Sequence, residues 1–252
     1  MKRVKARQSW YDQLLWAAVG LLLVLASGCS AARGTPQVRN YPAPDHLSVD
    51  AGPFQQAGCP LDDSGRNLCP PESPLGQLGC DYIATPGSYL GGLDPSYPLN
   101  LCWKLGRGGQ TLSREQYLYR EGCLLPLYAR YVILRDGQYR LLQSLADFQQ
   151  TYAPILSPDE ALSYALAATG LSAFYGFEAP AGFRYFVDRL EDSHVVETPQ
   201  GYLVVLYHYQ FCGCGPHTTS YVEVLIKPDG SLQETGRTPV FEDPEQDGLC
   251  ID

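Results

Sequence analysis

The sequence predicts an α+β fold: an antiparallel β-meander packed by one or two short helices, preceded by a loop-rich, disulfide-stabilised segment. Three features lead there. Strand-like runs alternate with turn signals after residue 190, two capped helical segments lie between 144 and 170, and residues 59–126 are crowded with Cys, Gly and Pro.

Within 59–126, "CPLDDSGRNLCPPESPLGQLGC" and "TPGSYLGGLDPSYP" hold too many Gly and Pro residues for long helices or strands. One short helix is expected over 114–120, capped by Ser113 with Gln116 three residues on and stopped at Gly122. From 127, "LYARYVIL" and "QYRLLQ" flank Arg135-Asp136-Gly137, a hairpin signal. Ser144 and Asp147 cap a helix that runs to about Tyr152 and ends before Pro154. Ser157-Pro158-Asp159-Glu160 then joins a capping box to a proline at the first helical position, and Gly170 closes that helix after Thr169. Ala161, Leu162, Ala165 and Leu166 give it one apolar stripe. The meander follows: a strand at 183–189, "HVVET", "YLVVLYHYQFC", "TSYVEVLIK" and "SLQETGR", with turns at Pro199-Gln200-Gly201 and Pro228-Asp229-Gly230. In the long central strand, Leu203, Val205, Tyr207, Tyr209 and Phe211 are expected to face the helices. His208, Gln210 and Cys212 lie on the opposite side.

The chain of 252 residues opens with Lys2, Arg3, Lys5 and Arg7 before an apolar run from Leu14 to about Ala26. That order is the pattern of an export signal. The run is short of the roughly 20 residues that cross a bilayer. Its end, Ala26-Ser27-Gly28-Cys29, resembles the lipobox of bacterial lipoproteins, with Ala26 where leucine is commoner. The resemblance implies cleavage before Cys29 and attachment of lipid to its thiol, hence a protein held on the cell envelope, facing the periplasm or the exterior. Multiple acyl chains make such an anchor stable. The expected organisation is a signal at 1–28, a lipidated cysteine with a flexible tether at 29–58, the Cys/Gly/Pro-rich segment at 59–126 and the α+β part at 127–252, with 59–252 forming one folded unit. The tether reading rests on four prolines, Pro36, Pro42, Pro44 and Pro53, and little hydrophobic periodicity.

The formal net charge is −9, and cleavage removes four of the 18 basic residues but one of the 27 acidic ones. Such a surface argues against nucleic acid, whose phosphates demand a basic patch. The expected contact with the membrane is the lipid itself. A protein or glycan partner is compatible with the many tyrosines, whose rings suit interfaces, but none is identified.

Beyond Cys29 stand eight cysteines: Cys59, Cys69, Cys80, Cys102, Cys123, Cys212, Cys214 and Cys250. An even number in an exported chain points to disulfides. Five precede residue 124 and three follow residue 211, so full pairing demands at least one bond between the two groups. Cys212 or Cys214 is the expected bridge, the other pairing with Cys250. "FCGCGPHTT" carries two other readings: a soft-metal site built from Cys212, Cys214, His217 and His208, or a reactive Cys212–Cys214 pair. Asp243, Glu245, Asp247 and Gly248 have the spacing that begins a calcium loop, but the closing carboxylate is missing. GxSxG, HExxH and SxxK are absent, and "GRGGQ" lacks the GK[ST] ending of a phosphate loop. The sequence therefore assigns no catalytic residue and implies no cofactor. His194 is expected to be exposed at the start of its strand.

Overall fold

The computed structural model describes residues 34–45, 48–63, 65–106 and 111–251. Cys29, the signal before it, His46 and most of "GRGGQ" lie outside the described residues. Among the described residues the first strand is β1 (Gln37–Arg39). Next come β2 (Asn67–Leu68), α1 (Pro74–Gln77), β3 (Tyr82–Ala84), β4 (Leu99–Leu105), β5 (Tyr119–Glu121), β6 (Leu127–Arg135) and β7 (Gln138–Leu142). Helices α2 (Leu145–Tyr152) and α3 (Pro158–Thr169) follow. The remainder is β8 (Arg184–Tyr185), β9 (Arg189–Glu191), β10 (His194–Thr198), β11 (Gly201–Tyr209), β12 (Gly213–Cys214), β13 (Thr218–Ile226), β14 (Leu232–Glu242) and β15 (Cys250–Ile251). The fold is α+β.

Two antiparallel sheets dominate. One runs β2-β3-β4-β6-β5, with β7 also on β6; the other runs β10-β11-β13-β14-β8. The segment expected to be loop-rich supplies four strands of the first sheet. Its Gly and Pro residues cluster outside β4, whose Leu-Asn-Leu-Cys-Trp-Lys-Leu alternates cleanly. The helix expected over 114–120 shrinks to one 3-10 turn at Arg114–Gln116, which keeps the Ser113/Gln116 capping box. The next residues pair with β6 as β5 instead.

The main core draws on both sheets and both longer helices. Leu99, Leu101 and Trp103 of β4, Phe148 of α2, Ala161 and Ala165 of α3, and Val204 and Leu206 of β11 belong to one buried cluster. Helix α3 is buried from Glu160 to Ala168, wider than one stripe. Its polar groups are paired: Ser163 donates to Tyr89 O and accepts from Gly92 N, and Glu160 accepts from Leu156 N.

Each sheet is covered on its outer face as well. Phe54, Leu75, Ile83 and Val132 pack there with Cys59, Cys69, Cys80 and Cys102, so two disulfides take the place of a larger core. Tyr185, Leu190, Tyr207 and Val240 cover the outer face of the second sheet. The expected faces of β11 are thereby reversed. Val204 and Leu206 turn toward the helices, while Tyr207 joins the outer cluster. Both sides of the strand are apolar because both are buried, as in strands enclosed by two layers.

The expected tether is docked along residues 34–45 and 48–58. β1 pairs in parallel with β9, Phe54 is buried, Leu99 N donates to Asp50 O, and the Tyr139 hydroxyl donates to Pro53 O. Asp192, with no exposed surface, holds the strand's end: it accepts from Tyr41 N at 3.1 Å, Asn40 Nδ2 at 3.2 Å, Gly176 N at 2.9 Å and Phe177 N at 3.0 Å. His194 is stacked under Tyr41, ring centroids 4.1 Å apart, rather than exposed.

Candidate functional site

The four disulfides are Cys59–Cys69, Cys80–Cys102, Cys123–Cys212 and Cys214–Cys250. Cys123–Cys212 is the cross-link that parity requires between the two halves. Cys214 and Cys250 face each other across the β12–β15 ladder. Cys212 and Cys214 thus have separate partners, which removes the reading in which they form a reactive pair with each other.

The soft-metal reading meets the same geometry. His217 is buried, with Nδ1 3.1 Å from Gln210 O and Nε2 3.1 Å from Leu249 O, so both ring nitrogens face backbone carbonyls. Among the described residues, no three His, Cys, Asp or Glu side chains gather to hold a metal ion. The acidic tail is also committed locally. Asp243 caps a 3-10 turn at Pro244–Gln246, and Asp247 pairs with Arg184 at 2.9 Å.

His208 stands elsewhere. Helix α3 ends at Gly170, whose φ of +70° is a left-handed cap. The Tyr119 ring lies so close that a β-carbon built on Gly170 would be 2.3 Å from Tyr119 Cδ2. This contact sets the edge strand β5 beside the end of β11, and the Cys123–Cys212 bond ties the two together. A cleft of about 510 Å³ opens between them, lined by Tyr119, Glu121, Thr169, His208 and Phe211 among others. Two further hollows, of about 430 and 340 Å³, adjoin it and share Tyr119. A hollow of about 670 Å³ beside residues 34–37 has no aromatic ring in its lining. A concave site with aromatic walls and a few convergent polar groups is the better ligand site.

Two titratable side chains in the cleft are displaced toward their neutral forms. Partial desolvation raises the Glu121 carboxyl above its ordinary value, although the residue as a whole is exposed. Burial lowers the His208 imidazole, and Arg237 adds to this while Glu234 opposes it. Displaced titratable groups that share one cleft make it the candidate site. The Tyr119 phenol is raised by burial, then by Glu121.

Two outcomes follow. Gly170→Ala is expected to cost about 2–3 kcal/mol, from the left-handed backbone and the displaced Tyr119 ring, as read by urea denaturation. For His208 the folded value lies below the unfolded one, so its contribution is complete above the ordinary value of about 6.5 and is lost as pH falls through the folded value. His208→Gln therefore gains on the wild type between roughly pH 7 and 5, by less than about 1 kcal/mol for a half-exposed group. Parallel denaturation curves at those two pH values check it.

The sequence reading missed Glu121 and the arginines around it. Their only local signal is an aromatic–charged run, "YLYREGC", ending in a cysteine. Compared with protein-family models, curated proteins and solved structures, the chain matches none of them.

Proposed function

We propose that the chain is a lipid-anchored, extracytoplasmic domain of a bacterial envelope, which holds a partner in the cleft around His208 without chemical turnover. The observation that carries the compartment is the pairing of every cysteine among the described residues into four disulfides, a pattern suited to an oxidising space. The anchor itself rests on Cys29 and the charged–apolar–small order before it. No helix among the described residues is long and apolar enough to cross a membrane.

The test is expression of the full chain in a bacterium, followed by detergent phase partitioning and mass spectrometry of the amino-terminal peptide. Wild type is expected in the detergent phase with an acylated Cys29, and Cys29→Ser in the aqueous phase or unprocessed. An unacylated wild-type chain in the aqueous phase contradicts the anchor.

A second reading, acid–base catalysis by Glu121 and His208, is favoured by their displaced proton affinities in one cleft. Its sign would be a turnover that Glu121→Gln and His208→Gln each abolish while substrate still binds.

A further inference from the structure

The ends of the composite cleft differ in chemistry. At one end, Arg114, Arg120 and Arg237 line a single hollow. Glu234 bonds Arg237 there at 2.9 and 3.0 Å, and Arg114 donates to Tyr117 O at 2.7 Å. The Arg120 side chain is exposed and has no hydrogen bond or ion pair among the described residues. At the other end the lining includes Tyr89, Leu90, Trp103, Ala173 and Phe174.

Unpaired backbone lies between these ends. β5 is the terminal strand of its sheet. Across the cleft, Tyr207 exchanges its N–H and C=O with Ser172, whereas Gln210 N donates to Thr218 O. By the alternation of an antiparallel ladder, Tyr209 directs its N–H and C=O to the same side as Tyr207, away from β13. The pairing of β10 with β11 has ended by then, its last register being His194 with Val205. The cleft is thus bordered by strand edges that can accept another strand.

We propose that this cleft takes the carboxyl terminus of an extended, largely apolar polypeptide, laid along the free edge of β5 with its terminal carboxylate against Arg120 and Arg114. This rests on the binding role proposed for the cleft and names its ligand class. Free edges select a main chain, because strand addition supplies both donors and acceptors. The apolar end takes alternate side chains. Arginine's planar fork matches a carboxylate. A polyacidic ligand is disfavoured, because the chain's net charge of −9 repels it while a single carboxylate meets only the local arginines.

The test uses the purified full chain in detergent micelles on two arrays of random heptapeptides, one with free carboxyl termini and one amidated. The expected result is retention on the free-acid array, about tenfold weaker on the amidated one. Arg120→Glu is expected to lose about tenfold in affinity for the selected peptides with an unchanged melting temperature. Hydrogen exchange with a selected peptide bound slows at Tyr119–Glu121 and Tyr209. Equal retention on both arrays, retention on neither, or indifference to Arg120→Glu overturns the proposal. Cleavage of bound peptides upholds the ligand class and removes the non-catalytic reading. Retention on neither array fails the binding role itself, whereas equal retention on both fails only the carboxyl-terminal assignment, so the two failures are distinguishable.

Discussion

Replacing Asp192 by alanine is expected to cost about 3–5 kcal/mol and to release the segment from Gln37 to Tyr41 while the main core stays folded. The carboxylate is fully buried and accepts from three backbone N–H groups and one side-chain amide. Burial alone would raise its pKa; the combined donors outweigh that and hold it below the ordinary aspartate value of about 3.8. Alanine leaves those donors unpaired. Asparagine fares little better, because its amide N–H₂ would face other N–H groups. A loss of this size lowers the melting temperature by roughly 10 °C in a domain of this length, and hydrogen exchange at Gln37–Arg39 accelerates. An unchanged exchange rate there would sink the account of the docked strand. The sign with pH is fixed: a depressed folded value contributes stability above the unfolded value, lost as pH falls through the folded one.

The second large effect is expected from Cys123→Ser with Cys212→Ser. That bond closes a separation of 89 residues, against 10 for Cys59–Cys69. The chain-entropy account gives about 4.5 kcal/mol for the first and about 2.7 for the second. The double serine variant is also expected to loosen the β5–β11 cleft, because the bond joins the segments that follow β5 and β11, strands of different sheets, at its rim. Denaturation of the two paired-serine variants compares the costs. Equal losses would mean that loop length does not govern them.

Where local chemistry decides, the sequence was readable. Ser157-Pro158 and Gly170 bound α3 because a cap, a fixed φ and a left-handed residue act within one turn. Asp136 and Gly137 adopt φ of +54° and +72°, the geometry that a two-residue hairpin turn requires, so β6 and β7 were legible too. The parity of the cysteines foretold a bridge between halves without naming Cys123.

What escaped depends on partners distant in the chain. Gln37–Arg39 carries one apolar residue, Val38, and looks like a linker; its docking comes from Asp192, 152 residues beyond Asn40. The run Leu203–Tyr207 is apolar at every position, which offers no contrast between faces. The cleft was unreadable for the same reason. Glu121 and His208 line one cleft only because Gly170 admits the Tyr119 ring and a disulfide links the segments that follow β5 and β11.

The most direct test of the central claim, an exported domain stapled by four disulfides and anchored at Cys29, is a thiol titration of the full chain purified from a bacterial membrane, denatured without reductant. The account predicts no reactive thiol, with eight sulfurs cross-linked and the ninth bound to lipid. Titration of free thiols among Cys59 to Cys250, or recovery of a chain that still begins at Met1 with Cys29 free, would contradict it.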